Sequence, residues 1–307
     1  KPPIAKRISR IQSPSGIFSL PLPDNSTWDL ASAAGGVLEA GEKAARLRMQ
    51  AFLDSGLARY GAMRNLPAGR TTSRLSQDLR FGLISIRELH RATLDKMETL
   101  DAAGRASAAT YVSELVWREF YMQVLWNFPA VLEEEFNVKY RGMVWPGKRE
   151  NFQRWCDGQT GFPIVDAAMR ELRETGFMHN RTRMIAAMFL TKDLHLDWRM
   201  GEMWFMQTLA DGEIASNNGG WQWSAGTGAD AAPYFRIQNP WSQSKRFDPD
   251  GVYIKTWVPE LRNVDSSKFI DPPAPGMRLA PGYPSPIVDH SVARDITLDL
   301  FKSAAVQ

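Results

Sequence analysis

Asn217 to Pro240 reads NNGGWQWSAGTGADAAPYFRIQNP, and its chemistry suits a cradle for something flat. Trp221 and Trp223 sit among glycine, alanine, serine and asparagine, with Tyr234, Phe235 and Trp241 following. Glycine lets backbone approach a ligand because it adds no side chain and takes backbone angles that other residues avoid. Indole and phenol rings offer faces on which a planar group stacks. Asp230 is the only ionisable side chain between Asn217 and Tyr234, so acid–base hydrolysis is a poor match and a planar, redox-active guest a better one. A buried, Trp-rich core loop has the same composition, and the segment alone leaves both readings open.

Three other stretches carry chemistry. Thr71 to Ser76, TTSRLS, precedes Asp78-Leu-Arg-Phe. A hydroxyl-rich run opening a helix is a natural anion site, since its N–H groups lack helical partners and the dipole favours negative charge. In YVSELVWREFYMQ, Tyr111 to Gln123, the residues Glu114, Trp117, Arg118 and Tyr121 recur at three- and four-residue spacing and share a helix face. A carboxylate, an indole and a guanidinium on one face can cradle a nucleobase. A solvated face with Trp117 tucked inward is the other reading. His179-Asn-Arg-Thr-Arg-Met184 places Arg181 and Arg183 two apart, so on a helix they diverge, one towards solvent or phosphate and one inward. An inward arginine needs a carboxylate, and Asp211 and Glu213, flanking Gly212, are candidates.

Other chemistries lose support. The four histidines, His90, His179, His195 and His290, form no HExxH and have no ligand-like spacing, which argues against a metal. No GxSxG nucleophile elbow and no P-loop is present. Gly226, Gly228 and Ala231 match GxGxxA, but that fingerprint needs a strand before it and a helix after it, and here it follows a Trp-rich segment in a helical chain. The single cysteine, Cys156, excludes an internal disulfide and suits a reducing, intracellular compartment.

The elements that must position these residues are helices. Apolar spacing of three to four residues predicts a helical run from about Val37 through Tyr60, then helices at Ser85–Met97, Ala103–Trp126, Phe152–Cys156, Pro163–Thr175, Thr182–Leu194 and Arg199–Leu209. Only Gly251–Thr256 hints at a strand, and no strand–helix alternation occurs, so the fold class is all-α. Residues 1–27, with Pro2, Pro3, Pro14, Pro21 and Pro23, read as a linker stub. Residues 28–262 read as the helical domain. From 263 to 307 the chain is rich in proline and glycine, ends in a short helix around Ala293–Ser303, and reads as a segment wrapping that same domain. With 307 residues, 44% hydrophobic and 23% charged, the composition is that of a globular protein. The net charge of +3 permits a nucleic-acid partner without requiring one. The longest apolar run, Met184 to Leu190, is far short of the ~20 residues that span a bilayer.

In order, TSRLS, ELVWREFY, GFPIVDAAMREL, MHNRTRM, DWRMGEMWF, DGEIASNNGGWQWSAGTGADAAPYFRIQNP, RFDPDG and YPSPIVDH make the chain resemble the FAD-binding catalytic domain of class I cyclobutane-pyrimidine-dimer DNA photolyases, within the photolyase/cryptochrome family, from about residue 10 to the end. The resemblance implies a helical domain holding FAD in a U shape, reduced to FADH⁻ when active. By motif, Tyr60, Thr72, Ser73, Arg74, Leu75 and Ser76 would hold its phosphates and ribityl chain. Tyr111 and Phe177 would stand near the cofactor where many members carry tryptophan. Arg183 and Asp211 would pair over the isoalloxazine with Glu213 close by, and Asn217 would face the flavin N5.

The same resemblance implies that Trp221, Trp198 and Trp145 pass an electron from the surface towards photoexcited flavin. Glu114, Trp117, Asn180, Met184 and Trp223 would receive a dimer flipped out of UV-damaged DNA, and Arg64, Arg118, Arg181, Arg236, Gln243 and Lys245 would grip the flanking phosphates. Glu114 would hydrogen-bond the dimer and stabilise its radical anion. The implied protein is a cytoplasmic, monomeric, light-dependent lyase that needs no metal. A cryptochrome-type photoreceptor and a (6-4) photolyase are the alternatives. Against them stand Trp117, Trp223 and Met184, the last replaced by histidine in the (6-4) branch. The family's N-terminal α/β antenna domain has no counterpart in these residues, so the antenna pigment is not assignable.

Overall fold

The computed structural model describes residues 16, 38–69, 71–230 and 236–304. The chain divides into two units, Lys1–Ala34 and Gly35–Gln307. Of the first, only Gly16 is among the described residues, so the linker expected over 1–27 lies outside them, as do Ala231, Tyr234 and Phe235. The second unit carries α1 (Glu42–Ala51), α2 (Tyr60–Met63), α3 (Ser76–Arg80), α4 (Ile86–Glu98), α5 (Ala102–Asn127), α6 (Glu150–Cys156) and α7 (Pro163–Thr175). It continues with α8 (Asn180–Met188), α9 (Trp198–Thr208), α10 (Ile214–Ala225), α11 (Pro240–Phe247), α12 (Val252–Trp257) and α13 (His290–Ala304), and no strand occurs among the described residues. No helix among them is long and apolar enough to cross a membrane.

Local chemistry accounts for several boundaries. α5 starts where the Asp101 carboxylate accepts the Gly104 N–H at 2.7 Å. α7 opens on Pro163, whose missing N–H costs nothing in the first turn, and stops at Gly176, which takes a left-handed φ of 65°. Two π-helical turns, Phe52–Gly56 after α1 and Phe189–Asp193 after α8, interrupt what periodicity predicts as unbroken helix.

Two expectations fail. The strand hinted at over Gly251–Thr256 is α12. Its Val, Tyr, Ile and Thr favour strands, but Gly251 turns the chain at φ 65° and the Asp248 carboxylate accepts the N–H groups of Tyr253 and Ile254, both at 2.9 Å, which caps a helix instead. The Trp-rich stretch read as a loop is helical over its first part, because Glu213 accepts the N–H groups of Ala215 at 3.0 Å and Ser216 at 2.9 Å and starts α10. Gly226 of the GxGxxA match is simply the left-handed residue that ends that helix.

The helices enclose two cores. One joins α1, α2, α4 and the first half of α5 through Phe52, Leu57, Tyr60, Leu75, Leu89 and Tyr111. The other gathers α6 to α12 around Trp155, Phe162, Phe189, Trp198 and Trp221. Emptying any of these aromatic positions to alanine costs about 3–5 kcal/mol, a large share of a domain's net stability. The residues after 263 join the second core: Tyr283 is buried and donates its hydroxyl to Asp166 at 2.5 Å. Burial pushes the Asp166 carboxyl up, opposed by hydrogen bonds from Thr160 and Tyr283. α5 spans the seam, packing on α2 and α4 at one end and on α10 at the other.

Candidate functional site

A cavity of about 550 Å³ opens at that seam. Tyr60, Leu75, Tyr111 and Leu115 line it from the first core and Ala187, Phe205, Leu209 and Trp221 from the second. Its volume falls in the range of small-molecule and cofactor clefts. On one wall the Tyr60 and Tyr111 rings stand edge to face, with centroids 5.1 Å apart. Burial pushes the Tyr111 hydroxyl up to about 12, partly relieved by a hydrogen bond with Ser73. Ser73, Leu75 and Ser76 reach the cavity, but Thr72 and Arg74 do not line it. Arg74 takes a left-handed φ of 53°, an uncommon angle for a side-chain-bearing residue, and lays its guanidinium 3.5 Å from the Phe177 ring centroid. Phe177 also lies outside the lining, so the two form a stacked pair behind the wall.

Beside this wall, next to Ser76, Arg183 donates to both Asp211 oxygens, at 3.0 and 2.7 Å. Burial alone would raise the Asp211 carboxyl, but the Arg183 charge and hydrogen bonds from Arg183 and Ser76 outweigh it and hold the group below its ordinary value. The two arginines of the HNRTRM run diverge. Arg183 lines the cavity, while Arg181 donates to Asn65 at 2.7 Å and lies 4.4 Å from the Phe247 ring centroid. Glu213 lines the cavity as well, with its oxygens occupied by the N-terminus of α10. Asn217, one turn into α10, anchors its amide by donating to the Glu202 carbonyl at 3.0 Å.

The mouth carries Glu114, Trp117, Arg118, Asn180, Met184 and Trp223. Glu114 is ion-paired with Arg64. Trp117 is half exposed and stands edge to face with Phe120. Arg236 lies 5.0 Å from the Trp223 ring centroid and pairs with Asp230 at 2.5 Å. Gln243 and Lys245 sit on α11 away from the lining. Sequence reasoning missed Arg246. Burial lowers the Arg181 guanidinium, and the Arg64 and Arg246 charges lower it further, so three cations stand near one another. The signal was present in SKRF, where Arg246 follows the named Lys245. Arg80, also missed, lines the cavity and donates to the Gly212 carbonyl at 2.6 Å.

The chain matches the model of the family "FAD binding domain of DNA photolyase" over residues 111–303, well over half its length. It belongs to that family. The photolyase likeness runs beyond the matched span: the chain is 44% identical over 290 residues to the deoxyribodipyrimidine photo-lyase of Halobacterium salinarum, covering 92% of this chain and 60% of the relative. It is 47% identical over 267 residues to that of a Synechococcus species, covering 86% of this chain and 54% of the relative. Among solved structures it superposes on a bacterial class III photolyase from Agrobacterium tumefaciens with a TM-score of 0.85 at 37% identity, covering 93% of this chain and 62% of that one. A Synechocystis cryptochrome superposes with a TM-score of 0.83 at 31% identity, covering 94% and 62%. The chain thus spans roughly three fifths or less of the length of these curated relatives.

The photolyase-family cavity suits a flavin dinucleotide on its own chemistry. Its walls set aromatic and apolar faces beside hydroxyls (Ser73, Ser76), the Arg183–Asp211 pair and the Asn217 amide, the mixture a flat ring system with a phosphate-bearing chain needs, and Gly212, Ser216 and Gly220 are small along one side. A methyl group on Gly220 would meet nothing within 4 Å. The Trp221 indole N–H is buried without a hydrogen-bond partner. Of the three tryptophans singled out for electron transfer, only Trp221 lines the cavity. Trp198 is fully buried on the first turn of α9, whose Gly201 lies against the Trp221 ring, and Trp145 is half-buried against the same core.

Proposed function

We propose that this chain is the flavin-holding, DNA-binding part of a photolyase that splits cyclobutane pyrimidine dimers under blue light. A single observation carries the reading: one cavity joins an aromatic interior to a mouth bearing Glu114, Trp117, Met184 and Trp223, with Arg64 held beside it by its ion pair with Glu114. When bound in reduced form and excited, FAD supplies an electron to the dimer and takes it back after the ring opens. The protein's part is to hold and to orient. Tyr60, Ser73, Leu75, Ser76 and Tyr111 form one wall for the cofactor, with Arg74 and Phe177 bracing it. The Arg183–Asp211 pair sets a compensated charge beside that wall, next to Ser76, and Asn217 places an amide rather than an acid at the cavity.

Trp117 and Trp223 offer two faces for an extruded dimer, a gain of about 1–3 kcal/mol per stacked base against a flipping cost of a few kcal/mol that is smaller for a damaged base. Glu114 lies within the mouth to hydrogen-bond the dimer and stabilise charge on it. Asn180 and Met184 complete the dimer's pocket, and Arg64, Arg118, Arg181, Arg236, Gln243 and Lys245 take the phosphates. Trp145, Trp198 and Trp221 refill the flavin's electrons. On this reading residues 28–262 and 263–307 make one helical domain acting as a monomer, inside the cell where the DNA is.

The deciding experiment incubates flavin-reduced protein with an oligonucleotide containing a thymine dimer, under blue light and in the dark. Loss of dimers in the light alone is the expected result. Flavin bleaching without dimer loss would overturn it and leave a cryptochrome-type photoreceptor, which the Synechocystis superposition supports. Replacing Trp221 with Phe should suppress photoreduction of oxidised flavin, and unchanged photoreduction would remove Trp221 from the electron path.

A further inference from the structure

Trp198 differs from the other two tryptophans of the proposed path in what its ring nitrogen meets. The indole N–H groups of Trp221 and Trp145 are buried without a hydrogen-bond partner. That of Trp198 donates to a Glu135 carboxylate oxygen at 3.2 Å. Both groups are closed off from solvent, Trp198 at 0% exposed and Glu135 at 3%. Arg199 completes the group: its Nη1 lies 3.1 Å from the same Glu135 oxygen, and its guanidinium carbon 4.6 Å from the Trp198 ring centroid.

We infer that Glu135 is the proton acceptor of Trp198, taking the indole N–H proton when Trp198 gives up an electron and returning it when the electron comes back. The inference rests on the tryptophan path proposed above. The oxidant is the photoexcited oxidised flavin acting through Trp221. Trp198 loses one electron in that direction, its N–H bond breaks, an O–H bond forms on Glu135, and a neutral indole radical remains. Arg199 acts on both ends of the step: it disfavours positive charge on the indole, which proton loss removes, and its contact with the Glu135 oxygen tempers how strongly the carboxylate holds the proton, so that the proton can return. Arg199 keeps a partner after Glu135 is neutralised, because Asp197 lies 3.1 Å away. A carboxylate placed only to satisfy a buried N–H could be exchanged for an amide at little cost; a proton acceptor could not.

The variant is Glu135→Gln, loaded with oxidised FAD and followed by flash photolysis beside the unaltered protein and Trp221→Phe. In the unaltered protein the tryptophan radical should convert from cation to neutral form with a rate that slows in deuterated buffer. In Glu135→Gln the radical should stay in its cation form, with no conversion to the neutral one, and should recombine about tenfold faster, the scale expected when an acceptor's charge is removed from a hydrogen bond. Equal radical forms and lifetimes in the two proteins, with photoreduction abolished by Trp221→Phe, would overturn the inference and leave the path intact. Photoreduction unchanged in Trp221→Phe would overturn the path and the inference with it. Should Glu135→Gln fail to hold flavin, the isotope effect in the unaltered protein decides, and its absence counts against Glu135. In flavin-free protein, a Trp198 indole N–H resonance that shifts upfield in Glu135→Gln supports the charged hydrogen bond, and one that stays in place counts against it.

Discussion

At His179 an imidazole is kept uncharged in a place crowded with guanidinium groups. Burial pushes its pKa down from 6.5 to about 4, and the Arg183, Arg181 and Arg74 charges add to the effect. Its Nδ1 accepts the Arg181 N–H at 3.1 Å and caps α8. The sign follows from which state binds the proton. Between 6.5 and about 4 the unfolded chain is protonated at this residue and the folded chain is not, so stability is full above 6.5 and is lost as pH falls through that window. The loss totals about 3 kcal/mol. Asp166 and Glu171, whose carboxyls burial raises, act the other way, so their contribution declines as pH rises. His179→Asn keeps a capping side chain without the titration. Urea unfolding on either side of pH 6.5 should show the variant losing less stability in acid than the unaltered protein; equal losses would contradict the assignment. Trp117, half exposed at the mouth, gives the binding counterpart. Trp117→Ala should weaken binding to dimer-containing DNA by about 1–3 kcal/mol, read by titration in the dark, with flavin content unchanged.

Two adjacent glycines of α10 show what an element can hide from its sequence. Asn217-Asn-Gly-Gly reads as loop because glycine weakens a helix by about 1 kcal/mol, yet both glycines lie inside one. A methyl group on Gly219 would sit 2.0 Å from the Tyr121 ring, so glycine is required there for α5 and α10 to approach. On Gly220 it would meet nothing within 4 Å and would project into the cavity. The substitutions should therefore part ways. Gly219→Ala should destabilise the protein by about 1–3 kcal/mol through overpacking. Gly220→Ala should leave the flavin-free protein as stable or stabilise it by up to about 1 kcal/mol while weakening flavin binding. Urea unfolding and flavin titration of both variants check this, and matching behaviour would sink the distinction. α12 makes the same point in reverse, since its β-branched residues describe a strand until the Asp248 cap is known. Helices with strong apolar periodicity and clear ends, α4 and α7 above all, were legible. Those governed by a cap or by a neighbour's approach were not.

At the scale of the molecule, the cavity belongs to neither core alone. Tyr60 and Tyr111 come from one, Phe205 and Trp221 from the other, and no local pattern in the chain announces that these distant segments meet. The chemistry of each stretch was readable; their convergence followed only from the family resemblance and from the fold. Arg246 escaped notice for the same reason, because its place beside Arg64 and Arg181 is a product of packing. A cavity at a seam also predicts where a ligand's binding energy goes. A cofactor touching both cores binds the folded chain and not the unfolded one, so it stabilises by mass action, by about 2.7 kcal/mol at a free concentration one hundred times its dissociation constant. At roughly 2–4 °C per kcal/mol for a domain somewhat smaller than this one, removing FAD should lower the melting temperature by about 5–10 °C. The check is a thermal scan of stripped and reconstituted protein, with helical signal and flavin fluorescence followed together. Loss of helix and release of flavin at one temperature, lowered in the stripped protein, would show the cofactor tying the two cores. Release of flavin well below an unshifted unfolding transition would place it outside the seam.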